Sequence, residues 1–186
     1  MKFDPEKHQR RSVRFKGYDY SAAGGYYVTV VTLWRECLFG EVADGEVRLN
    51  TLGQIVREEW FKTAALRSYV QLYEDEFLVM PNHVHGIIWI IDDTVGARRS
   101  IVGAQRRCAP TKNVAPRSLG AIVRAFKSAV TYRAGRELQC TNIWQRNYHE
   151  HVLRDQADYE RIANYIASNP VNWEEDEENP GNLSTW

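Results

Sequence analysis

The stretch EFLVMPNHVHGIIWI, Glu76 to Ile90, sets two histidines one residue apart inside an otherwise apolar run. A segment this rich in β-branched and aromatic residues reads as strand, with Pro81-Asn82 as a turn dividing it into two antiparallel arms. Side chains alternate along a strand, so His83 and His85 share one face while Val84 and Gly86 take the other. Their α-carbons stand about 7 Å apart, close enough for two imidazoles to converge on one divalent ion. The alternative is a pair of hydrogen-bonded, partly buried histidines. Their place at the entry of a strand that continues as hydrocarbon, Ile87 to Ile91, favours a site at a sheet edge.

Outward from this hairpin, YYVTVVTL (26–33) reads as a first strand. CLFGEVADGEVRLN (37–50) reads as an added hairpin turning at Asp44-Gly45. TLGQIVREEWFKTAALR places Leu52, Ile55, Val56, Trp60 and Ala64 at helical spacing, capped by Asn50 or Thr51. SYVQLYEDEFLVMP is a second strand region and HVHGIIWII a third. SLGAIVRAFKSAVTYRAG predicts a basic amphipathic helix ending near Gly135. IWQRNYHEHVLR is a fourth strand candidate, and DQADYERIANYIASNP a helix capped near Asp155 and ended before Pro170. Without the hairpin and the last helix the order is βαββαβ. The expected class is α+β, a ferredoxin-like antiparallel sheet with helices on one face and a C-terminal tyrosine-bearing helix.

A length of 186 residues with 44% hydrophobic and 26% charged residues fits one ordinary globular domain over 1–186. No stretch approaches the span of a bilayer, and MKFDPEKHQRR has no apolar signal core, which points to the cytoplasm and away from membranes. Cys37, Cys108 and Cys140 are odd in number and widely spaced, as in reduced thiols. The net charge of zero hides segregation. Residues 1–20 form a basic arm, 92–116 a mobile basic insertion, and 172–186 an acidic tail containing WEEDEENP. From Arg98 to Arg136 no acidic residue interrupts ten positives. Such a tract is either a solvated loop or a polyanion footprint.

Imidazole suits Mn, Zn, Fe and Ni, and a two-histidine site needs further ligands or leaves positions for substrate oxygens. The last helix offers the phenol of Tyr165 and, four residues on along the same face, the amide of Asn169. A second pair, His149 and His151 around Glu150, also has strand spacing. It suits a supporting position near the site better than direct ligation, so Glu150 and His151 are expected there.

Together MPNHVHGI, IWQRNYHEHVLR and DYERIANYIASNPVNW resemble the signature segments of the REP-associated tyrosine transposases, a branch of the HUH-type single-tyrosine transposases of bacterial insertion sequences. The resemblance runs from about Tyr26 to Trp173. It implies metal-dependent cleavage and rejoining of single-stranded or hairpin DNA, in DNA transposition and recombination, with Mg²⁺ or Mn²⁺ as cofactor. It also implies a 5′-phosphotyrosine intermediate and either a monomer or a homodimer. His83 and His85 match the metal ligands, Tyr165 the nucleophile, and Asn169 a position that can supply a third ligand. Tyr148 and Tyr159 are nearby rivals of Tyr165. Arg106, Arg107, Arg117, Arg124, Lys127 and Arg133 become candidates for DNA contact, and Phe15, Tyr18 and Tyr20 for base stacking. A hairpin-DNA-binding module without catalysis is the alternative. A histidine-triad nucleotide hydrolase fits poorly, because Ile87 stands where a third alternating histidine belongs.

Overall fold

The computed structural model describes residues 18–92 and 115–182. Most of the basic arm, including Phe15, and most of the insertion, including Arg106 and Arg107, lie outside the described residues. Strand β1 (Gly24–Val31) is followed by a hairpin of β2 (Gly40–Ala43) and β3 (Glu46–Leu49), and then by helix α1 (Thr51–Ala65). After it come β4 (Val70–Gln71), β5 (Phe77–Val79), β6 (His83–Ile90), α2 (Leu119–Glu137), β7 (His149–Val152) and α3 (Gln156–Ser168).

The main sheet has the order β4-β6-β1-β7, with β5 also paired to β6, and every pairing is antiparallel. Removing the small β2–β3 sheet leaves the last strand beside the first and the first beside the third, as expected for the ferredoxin-like plan. The second strand region is broken in two by a 3-10 turn at Glu74–Glu76. The fourth strand is shorter than the sequence suggests, since only four residues of IWQRNYHEHVLR enter the ladder and Trp144 makes an isolated bridge to Thr32.

Local sequence accounts for the boundaries. Asp44 (φ 57°) and Gly45 (φ 75°) both take left-handed backbone, the requirement of a tight hairpin turn. The side chains of Asn50, Ser118 and Asp155 accept from Gly53 N, Ala121 N and Asp158 N, capping the three helices. Helix α2 runs through Gly135 and ends at Leu138, followed by left-handed Gln139 (φ 51°). The glycine signal thus falls one turn too early. Helix α3 ends as expected, with Asn169 as its last cap before Pro170.

Alternation along β1 and β6 divides the molecule. Tyr26, Val28 and Val30 with Val84, Ile88 and Ile90 face α1 and α2, closing over Trp60, Phe126 and Val130 in the main core. Trp60 stacks on Phe77 with centroids 4.5 Å apart. A Cβ at Gly86 would stand 2.4 Å from the Trp60 ring, so the strand needs glycine here for the indole to lie flat against it. On the other face, Ile87 packs with Ile162 and Ile166 of α3, flanked by Tyr27, Leu78, Trp89, Leu153 and Tyr159. Helices α1 and α2 therefore share one face, and α3 covers the second. That second face carries the histidines.

Candidate metal and tyrosine site

The register Val31↔His83, Thr29↔His85 and Tyr27↔Ile87 aligns three neighbours from β1 with the histidine pair. Both histidines are buried. Their Nε2 atoms face each other at 2.8 Å, and each Nδ1 is held by a different partner. His83 Nδ1 pairs with Asn82 Oδ1 at 2.8 Å, while His85 Nδ1 lies 2.7 Å from Tyr27 Oη and 3.1 Å from Thr29 Oγ1. Both rings are thus oriented with Nε2 inward. Burial holds both imidazoles below their ordinary range, against the pull of Asp176 on His83, so the pair is neutral at neutral pH.

The third member of the cluster comes from the acidic tail. Asp176 is buried, and its carboxylate lies with the two imidazoles in a group whose ligand atoms fall within 4.8 Å of one another. The residues after α3 fold into 3-10 turns at Trp173–Glu175 and Pro180–Asn182. Asp176 Oδ1 accepts from Glu178 N at 2.6 Å, and Asn179 Nδ2 donates to Trp173 O at 2.8 Å. Arg35 joins this turn to the sheet through Glu178 Oε2 at 3.0 Å and Glu177 O at 2.9 Å. Asn82 Nδ2 also donates to Glu178 O, at 2.7 Å. The acidic tail therefore supplies a candidate ligand that sequence reading missed. The signal was present in its run of turn formers, Asn169-Pro170, Asn172, Asp176 and Asn179-Pro180.

Asn169, expected as a third ligand, is buried beside Asp176 and donates from Nδ2 to Asp176 Oδ2 at 2.8 Å. Its Oδ1 is buried with no hydrogen-bond partner among the described residues. A buried carbonyl oxygen without a donor is the mark of an absent partner. Two inward imidazoles, a carboxylate and this oxygen form a mixed N/O donor set that suits a first-row divalent ion. Two cis ligands about 2.1 Å from such an ion stand about 3 Å apart, close to the 2.8 Å between the imidazoles. The residues fit a metal.

Tyr165 lies within the same chain, its ring centroid 5.2 Å from that of His85 and 6.5 Å from that of Tyr27. It is 46% exposed. Burial first, and then Asp176, Glu177 and Glu178, push its phenol up to about 12, while Asn169 pulls in the opposite direction. The rival tyrosines are placed elsewhere. Tyr159 packs against Trp89 and shares Glu76 with the Trp89 indole. Tyr148 lines a cleft beside α2.

The second histidine pair is divided. His149 and His151 lie in register with Thr29 and Tyr27 on the site's face, but His151 is engaged with Asp158 at 2.7 Å, and neither joins the cluster. Glu150 is in register with Val28 and so lies on the opposite face, away from the histidines it was expected to support.

The basic residues of α2 also belong to that opposite face. Arg124 and Lys127 line a cleft of about 730 Å³ between α2 and residues 142–148, together with Arg146, Tyr132 and Tyr148 and, among the described residues, without a carboxylate. Lys127 donates to Gln145 O and Asn147 O, and burial brings its ammonium down to about 8. Arg133 sits among Glu58, Glu59 and Glu137, and Arg117 lies over the Tyr69 ring at 4.4 Å. Tyr20 packs against the core and Tyr18 leans on it with centroids 5.0 Å apart. Among the described residues no helix is long and apolar enough to cross a membrane.

No protein-family profile matches the chain. A Haemophilus influenzae protein of uncharacterised function is 38% identical over 176 residues, covering 95% of this chain and 96% of that one. The chain belongs to one family with that protein. Among solved structures, a REP-associated tyrosine transposase bound to a REP hairpin superposes with a TM-score of 0.56 at 22% identity, over 86% of this chain and 73% of that one. The two share a fold, in agreement with the resemblance of the three sequence segments.

Proposed function

We propose that this protein is a metal-dependent transposase-type enzyme that cleaves and rejoins single-stranded or hairpin DNA through Tyr165. The observation that carries the proposal is the packing of Tyr165 against His85, beside the His83–His85–Asp176 cluster, in a single chain. The hairpin bound by the transposase of the same fold supports the choice of substrate.

His83, His85 and Asp176, with Asn169 Oδ1 as a fourth donor, would hold Mg²⁺ or Mn²⁺. When bound, the ion polarises the scissile phosphodiester and offsets the developing negative charge. Tyr27, Thr29 and Asn82 fix the imidazole orientation from behind. Tyr165 Oη loses its proton and attacks phosphorus. The bond to the 3′ oxygen breaks, that oxygen takes up a proton, and the chain carries a 5′-phosphotyrosyl ester with a free 3′-hydroxyl beside it. Attack by another 3′-hydroxyl reverses these changes and joins new ends. Flanking DNA passing the edge strand β7 would reach the cleft of Arg124, Lys127 and Arg146, whose basic groups suit phosphates. The one-chain arrangement supports action by a monomer.

The test is nicking of single-stranded hairpin oligonucleotides with and without Mn²⁺ or Mg²⁺. The parent should give a covalent protein–DNA adduct, and Tyr165→Phe none. Cleavage retained by Tyr165→Phe would overturn the nucleophile. Binding without cleavage by the parent under every divalent condition would leave a hairpin-DNA-binding module.

A further inference from the structure

Directly after β1, the backbone carries two consecutive non-glycine residues in the left-handed region, Trp34 (φ 59°) and Arg35 (φ 58°). Left-handed backbone costs about 1–3 kcal/mol for each such residue and persists only where the surroundings overdetermine it. Here they do. Thr32 Oγ1 donates to Glu36 O at 2.8 Å, Leu33 N to Ile143 O at 2.8 Å, and Asn82 Nδ2 to Arg35 O at 3.0 Å. The Arg35 guanidinium completes the clamp on Glu177 and Glu178. The product of all this is an indole that touches no other ring among the described residues and is 79% exposed.

Trp34 is thus costly in backbone and in solvation, and among the described residues no hydrogen bond or ring contact uses its side chain. The clamp that holds it is made of groups that also build the metal site. Asn82 positions both the Arg35 carbonyl and His83, and Glu178 N is held by Asp176. The backbone that carries the indole is therefore tied, through Asn82 and Arg35, to residues that also build the site. Its environment excludes some occupants. A single exposed ring offers too little area for a protein partner. A flat, rigid ring beside a phosphate-cleaving centre suits the π-face of an unpaired base.

We propose that Trp34 is the stacking platform for an unpaired base that flanks the scissile phosphate. This rests on the DNA-cleaving reading of the site. Trp34 binds and orients the substrate and takes no part in bond making.

Two variants and one set of oligonucleotides test it. Trp34→Ala should weaken binding of single-stranded oligonucleotides about tenfold or more, whereas Trp34→Phe keeps most of the affinity. Scanning the oligonucleotide with abasic sites should reveal one position where the parent loses a similar factor and Trp34→Ala loses nothing further. Trp34→Gly should melt no lower than the parent, since glycine relieves the left-handed strain, and yet bind DNA as weakly as Trp34→Ala. Equal affinities for the parent and Trp34→Ala on every oligonucleotide would overturn the inference while leaving the proposed function intact. A parent that binds no DNA would overturn the proposed function and this inference with it.

Discussion

Replacing Asp176 by asparagine keeps the shape of the buried side chain and removes its charge. The carboxylate is already buried, tied to Asn169 Nδ2 at 2.8 Å and to Glu178 N at 2.6 Å, so much of its desolvation cost has been met by folding. At an effective dielectric near 20, one unit charge about 4 Å from a divalent ion interacts by about 8 kcal/mol. The amide oxygen still offers a lone pair and water can enter, which returns most of that sum. A net loss of about 2–3 kcal/mol remains, or about 30- to 150-fold in affinity. Titration calorimetry with Mn²⁺ on the parent, Asp176→Asn and His83→Ala measures it directly. Asp176→Asn binding Mn²⁺ within about threefold of the parent, while His83→Ala binds none, would refute the reasoning and return the third position to Asn169 alone.

The remaining predictions concern the nucleophile, the cleft and the core. Tyr165→Phe should abolish the covalent adduct without changing Mn²⁺ affinity more than about twofold, as read by gel shift and calorimetry, because the ring stays and only the hydroxyl leaves. Lys127 titrates near 8 in the folded chain against an ordinary 10.5. Between those values the unfolded chain binds more protons, so this group's contribution to stability rises with pH from about 8 to 10.5. Its charge on the cleft falls around pH 8. Single-strand affinity at fixed salt should therefore drop as pH passes 8, and Lys127→Met should flatten that drop; a pH-independent parent would refute the role. Gly86→Ala drives a methyl to 2.4 Å from a Trp60 ring held in the core, which should cost about 1–3 kcal/mol and be read in urea unfolding.

The strand that carries the histidines was legible because its hydrophobic period and turn residues are local properties, and so were the three helix caps. The pairing of β1 between β6 and β7 followed from element order. What periodicity could not supply was the face on which each residue lands relative to a distant helix. Glu150 was drawn toward the histidines by sequence proximity, yet register puts it on the Val28 face, the face on which α2 and its basic residues also pack. Asp176 was hidden for a different reason. Among Glu174, Glu175, Glu177 and Glu178 it reads as one more solvated acid, and only the hydrogen bonds of its own turn single it out.

The central position of β1 has a consequence for inheritance. Tyr26, Val28 and Val30 sit under α1 and α2, while Tyr27 and Thr29 stand behind the histidines, so neighbouring codons answer to different demands. Random change along this strand should produce two classes of failure that alternate residue by residue, poorly accumulating protein at even positions and abundant but inert protein at odd ones. Suppressors should follow the same parity, with globally stabilising changes rescuing only the even class.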